Sequence, residues 1–304
     1  MVSASDYQLA MGNVVMDVNP QIGARISKLT YLASGASTPT NIIQPYTTCA
    51  TPSDPSTTCN NSVGSTFWTS PQSSWDGVTG GSNVWPPVAA LDVSPYTPAI
   101  TSNHLVLTGS ADTTLGASVT KDFSADSATG WFNLTYTINA TKAIQVAPWQ
   151  ITRVPRAGLV FFPIASLVSN TTSPLWTMTQ SGGYAWIDDS TQSTITSGGP
   201  KIIADGGVAG QAYTWLAYAL GGNLLLLKYP NIATTSFATG ESDTEVYPGS
   251  GYMELEAQGA STSLASGANL PWTVQLRVVP IPSSVTVAVN SSTLLTFAQQ
   301  QAAL

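Results

Sequence analysis

Charge is what this chain has least of. Only 8% of its 304 residues are charged, and nine Lys plus Arg against sixteen Asp plus Glu leave a net charge of −7. A surface so poor in cations argues against phosphate backbones and anionic lipid, so no nucleic-acid partner is expected. Histidine is nearly absent. His104 is the only one, and with just two cysteines the chain cannot assemble a zinc or copper cluster of the usual His/Cys kind. A Ser/His/Asp triad would have to rest on His104, which lies in "TSNHLVLTG", where a structural role is expected. No Gly-rich loop follows a strand and opens a helix, so no phosphate-bearing cofactor is expected, and "IDDS" with Asp188 and Asp189 is a weak signal for calcium. No apolar run approaches the roughly 18 residues that a membrane span needs.

Hydrophobic residues are plentiful at 43%, enough for a large core. The solvated surface must then be built from Ser, Thr, Asn, Gln and Gly, which is unusual for a cytosolic protein. Cys49 and Cys59, in "CATPSDPSTTC", lie ten residues apart in a segment unable to form regular structure, and a disulfide is expected there. Met1 is read as the start of a chain whose export signal has been removed, so a secreted or periplasmic protein is expected.

The hydrophobic pattern is that of strands. "GWFNLTYTIN" (130–139) alternates Phe132, Leu134, Tyr136 and Ile138 with Trp131, Asn133, Thr135 and Thr137. About a dozen or more runs of strand length follow one another between Gly, Pro, Asn and Asp signals, the density of a large antiparallel sandwich. With no composition break, residues 1–304 read as one domain. The tail "SSTLLTFAQQQAAL" is the one convincing helix, at about 291–303, capped by Ser291 or Ser292. The stretch from about 34 to 87 reads as a long loop, rich in Pro, Ser and Thr yet studded with aromatics.

Nine tryptophans are the most conspicuous chemical feature. Trp68, Trp75 and Trp85, with Gln72, Asp76 and Asn83 between them, offer flat rings for the C–H face of a sugar and polar groups for its hydroxyls. Trp186, in "GGYAWIDD", is a further candidate platform. For any single ring the alternative is that it covers the core.

"GARISKLTY" near the start, "APWQITRVPRAGLVFFP" in the centre and "YMELEAQG" towards the end occur in the order seen in the galactose mutarotase-like superfamily, which includes aldose 1-epimerases, and the chain resembles an exported branch of it over residues 8 to 282. The resemblance implies a large antiparallel supersandwich with a mono- or oligosaccharide site on one face of its main sheet. It also implies a Glu base and a His acid, which move protons at the anomeric hydroxyl and the ring oxygen. The base falls on Glu256, in a strand whose alternation puts Tyr252, Glu254 and Glu256 on one face. The acid's position falls on Trp149, whose indole N–H cannot be given up. Tyr184, Tyr247 or a protonated Glu254 is then expected to stand in for it. Arg25, Arg153 and Arg156 either meet an acidic sugar or pair with the protein's own Glu residues. Two functions remain open: a carbohydrate-active enzyme, whether isomerase, hydrolase or lyase, and a saccharide-binding protein without catalysis.

Overall fold

The computed structural model describes residues 6–44, 63–75, 87–170, 177–191, 201–249 and 251–303. In chain order its strands are β1 (Tyr7–Met11), β2 (Val14–Asn19), β3 (Arg25–Tyr31), β4 (Thr40–Asn41), β5 (Ser65–Ser70), β6 (Thr97–Thr101) and β7 (His104–Thr108). There follow β8 (Ala117–Asp126), β9 (Trp131–Ala140), β10 (Ile144–Pro155), β11 (Leu159–Pro163), β12 (Ser166–Asn170), β13 (Thr179–Ser181) and β14 (Tyr184–Asp188). The last are β15 (Ile202–Asp205), β16 (Tyr213–Leu220), β17 (Asn223–Pro230), β18 (Thr244–Pro248), β19 (Tyr252–Gln258), β20 (Thr262–Leu264) and β21 (Asn269–Pro280). A short helix α1 (Ala89–Asp92) precedes β6, and the longer α2 (Ser292–Ala303) closes the chain.

The strands form two antiparallel sheets. One has eleven strands with the central order β1-β2-β3-β5-β10-β19-β18-β15-β12, and the other has ten in the order β13-β14-β11-β16-β17-β21-β9-β8-β7-β6. Period-two alternation explains how they meet. On β9, Phe132, Leu134, Tyr136 and Ile138 are buried, and Tyr136 stacks on Phe67 of β5 with ring centroids 4.4 Å apart. On β19, Met253, Leu255 and Ala257 belong to the same core. Their alternates Glu254 and Glu256 therefore lie on the sheet's other face, and this is the face that carries the site.

Two expectations are corrected. The supposed long loop contains β5, an interior strand paired along β10 and touching β3. Its Ser and Thr content reads as loop, but Ser65, Thr66, Thr69 and Ser70 are all buried in the strand. Trp186 is no exposed platform: it stacks on Phe161 at 4.8 Å in a second core. That core lies beneath α2, which contributes Leu294, Ala298 and Ala302. The helix begins where the tail pattern places it, with the Leu294 N–H donating to the Ser291 hydroxyl at 3.2 Å.

Candidate functional site

Strands β5, β10, β19, β18 and β15 lie side by side, and their registers gather one set of side chains. Trp68 faces Trp149 across β5 and β10, Arg153 faces Glu254 across β10 and β19, and Glu245 and Tyr247 face Glu256 and Glu254 across β18 and β19. Lys201 arrives just ahead of β15, the next strand along. Over this patch lies a pocket of about 330 Å³ lined by Trp68, Gln72, Trp149, Lys201, Tyr247, Tyr252, Glu254 and Glu256. Its volume is at the small end of the range for ligand sites, suited to one sugar ring.

Trp149 holds the base candidate. Its Nε1–H donates to Glu256 Oε2 at 2.8 Å, and Lys201 Nζ pairs with the same oxygen at 2.8 Å while lying 4.5 Å above the indole centroid. Lys201 also pairs with Glu245, which is fully buried. Burial opposes the charge of Lys201, but the neighbouring Glu245, Glu256 and Glu241 override it and raise its pKa. The ammonium is therefore a fixed counter-ion and a poor proton donor. Glu245 is raised as well, but by the opposite balance: burial lifts its carboxyl well above the glutamate range despite Lys201.

Glu254 is ion-paired to Arg153, Nε to Oε1, at 2.9 Å. Burial nevertheless pushes its carboxyl up to about 7, with Arg153 pulling it down and Glu256 pushing it further up. Arg153 itself is wholly buried beneath the pocket, its guanidinium 5.2 Å from the Trp68 ring centroid. Two neighbouring carboxyls thus sit in different company, one against Arg153 and the other between an indole N–H and an ammonium.

The aromatic residues divide by exposure. Trp68, Trp75 and Trp149 form a compact triad with centroids 5.3 to 5.9 Å apart, each at most 2% exposed. Their N–H groups are used internally, by Asp92, by the Thr69 carbonyl and by Glu256 respectively. They are wall and backing, with Trp75 behind the other two, and the rings with more surface in the pocket are those of Tyr247 and Tyr252. Burial first, then Glu254 and Glu256, raises the Tyr247 hydroxyl, keeping it a hydrogen-bond donor. Tyr252 is set by Gly249, where an added Cβ would stand 2.5 Å from its ring.

Other expected residues fall elsewhere. Arg25 does not line the pocket: its guanidinium is buried, Nη2 on Asp92 Oδ1 at 2.7 Å and Nη1 on the Val63 carbonyl at 2.8 Å. Since the same Asp92 oxygen accepts the Trp68 indole at 2.8 Å, Arg25 acts on the wall at one remove. Arg156 forks onto Asp189 at 2.6 and 2.7 Å, which engages that carboxylate with a cation of the chain. His104 stands on β7 of the other sheet against Asp122. Tyr184, the alternative acid, lines a separate cavity with Tyr213 and Trp215. Trp85, Asp76, Asn83, Cys49 and Cys59 lie outside the described residues. Among the described residues no group of three or more His, Cys, Asp and Glu side chains is placed to hold a metal.

Lys201 is the residue that sequence reasoning missed, and Glu245, considered only as an arginine partner, pairs with it instead. The available signal was a lone Lys in "GGPKIIAD" and a Glu two residues before Tyr247, both conspicuous in a chain with so few charges.

No known family profile matches the chain, and no curated protein sequence does. Solved structures do. The chain is similar to the GalM/aldose epimerase homologue from C. elegans, with a TM-score of 0.59 at 11% identity over 91% of this chain and 99% of that one. It is also similar to galactose mutarotase-like proteins from Clostridium acetobutylicum (TM-score 0.53, 9% identity, 90% and 95% covered) and Lactobacillus casei (0.52, 11%, 90% and 100%). The fold is the galactose mutarotase-like β-sandwich, over nearly the whole chain.

Proposed function

We propose that the pocket binds a saccharide and interconverts its anomers, with Glu256 as base and Glu254 as acid. Glu256 takes the proton of the anomeric hydroxyl while Glu254 delivers one to the ring oxygen, the C1–O5 bond breaks, and the open aldehyde turns and recloses with both protons returned. The observation that carries this reading is the placement of two adjacent carboxyls in contrasting environments on the wall of a sugar-sized pocket. Trp149 takes no part in proton transfer and orients the base.

A second reading, saccharide binding without turnover, is favoured by one feature: Glu256 Oε2 is already engaged by Trp149 and Lys201, contacts that a substrate hydroxyl must share or displace. Polarimetry on freshly dissolved α-glucose and α-galactose separates the two. On the enzymatic reading mutarotation is accelerated, Glu256→Gln abolishes the acceleration and His104→Ala leaves it intact. Binding without acceleration would establish the second reading.

The export reading is supported by the charge-poor surface composition and the spacing of Cys49 and Cys59. A disulfide closing that loop should contribute about 2 to 3 kcal/mol. Two alkylatable thiols in the folded protein, seen by mass spectrometry without reductant, would rule the bridge out.

A further inference from the structure

All nine Lys and Arg residues of the chain fall among the described residues, so the cations near the pocket can be counted. Two are there. Lys201 is held between Glu245 and Glu256, and Arg153 is held by Glu254. Arg156 is engaged by Asp189, Arg25 by Asp92, and Lys121 by the Gly23 carbonyl. Lys228 and Arg277 flank Trp131 in the other sheet, and Lys142 reaches the Thr113 and Thr114 carbonyls. Lys28 is exposed on β3. Against the two pocket cations stand three carboxyls, Glu245, Glu254 and Glu256, and Glu241 is near enough to act on Lys201 as well. The side chains outside the described residues can add no positive charge, since the ionisable ones are Tyr46, Asp54, Asp76 and the two cysteines.

We infer that the site is a charge filter: it favours amino sugars over neutral sugars and rejects sugar acids. The inference rests on the saccharide reading of the same pocket and specifies its substrate class. Only Lys201, Glu254 and Glu256 bring charge to the wall itself, two carboxyls against one cation, and these are what a ligand meets. A carboxylate ligand would need a donor pair, and the obvious one, the Arg153 guanidinium, is out of reach. It is fully buried, absent from the pocket wall and covered by Glu254. Lys201 does reach the wall, but its ammonium is shared between two carboxylates. An ammonium on the ligand meets the reverse situation, with Glu254 and Glu256 facing it and Tyr247 beside them. Burial keeps Glu254 partly protonated at about pH 7, and an ammonium ligand displaces that proton as it binds. One unit charge about 6 Å from another, at an effective dielectric constant of about 20 to 40, changes affinity roughly tenfold or more.

The test is calorimetric titration of the full chain with D-galactosamine, D-galactose and D-galacturonate, and with the corresponding gluco sugars, at about pH 7 and low salt. The expected order is amine tightest and acid weakest, with roughly tenfold between steps. Raising salt from about 0.05 to about 0.5 M should compress the spread by screening. An acid within threefold of the neutral sugar, an amine no tighter than it, or a spread indifferent to salt would overturn the inference while leaving the saccharide reading standing. If no sugar of any charge bound, the saccharide reading would fall and take this inference with it.

Discussion

Lys201→Met isolates the ion network at the centre of the site. The substitution keeps an unbranched side chain over the Trp149 ring and removes the cation shared by Glu245 and Glu256. Breaking a buried pair by deleting one partner costs about 3 to 5 kcal/mol, and since the Lys201 side chain is 23% exposed the lower end, about 3 kcal/mol, applies. With an unfolding entropy of about 2.1 cal/mol/K per residue and 304 residues, that lowers Tm by about 5 °C. The sign with pH follows from Glu245. Its folded carboxyl is already raised by burial, and Lys201 is what holds it down, so in the variant the folded state binds that proton more tightly still. A group with a raised folded pKa contributes fully below the ordinary glutamate range and loses that contribution as pH climbs towards the folded value. The deficit of the variant should therefore be small at about pH 3.5 and larger at about pH 8, above the ordinary glutamate range. Circular-dichroism melts of both proteins at the two pH values are the assay. An equal deficit at both would mean that Lys201 contributes packing alone and that the ion network is misjudged.

Two further outcomes follow from the same geometry. Because Glu254 must be protonated to serve as acid, accelerated mutarotation should decline as pH rises through about 7, and a rate still climbing above that point would assign the acid elsewhere. Trp149→Phe keeps a ring against Trp68 and Trp75 but removes the N–H held by Glu256. Urea denaturation should report a loss of about 1.5 to 3 kcal/mol, and unchanged stability would mean that the indole bond to the carboxylate is worth nothing.

Much of the architecture is written locally. The alternation in β9 and the helical tail depend on neighbours two to four residues apart, which a linear reading captures. Tyr252, Glu254 and Glu256 share a face for the same reason, so the carboxyl pair could be named from "YMELEA" alone. The ion network could not. Lys201 is 55 positions from Glu256 in the chain and meets it only because β15, β18 and β19 are neighbours in the sheet, an order that periodicity does not encode. Strand β5 escaped because a buried Ser or Thr can satisfy its hydroxyl within the fold, as Ser65 does with Gln150 and Thr152, whereas a composition reading assigns such residues to solvent. Trp68 and Trp149 line the pocket, but their exposure was misjudged. An indole with its N–H bonded inside the protein can be nearly all buried, and the exposed ring surface passes to Tyr252 and to Tyr247, which the sequence had offered as a substitute acid.

The most direct test of the central claim is a crystal structure of the protein soaked with a monosaccharide. The account predicts one sugar ring in the pocket between Trp149, Tyr247 and Tyr252, its anomeric hydroxyl on the Glu256 carboxylate and its ring oxygen on Glu254. A sugar bound instead in the cavity beside Tyr213 and Trp215, with Glu254 and Glu256 untouched, would contradict it.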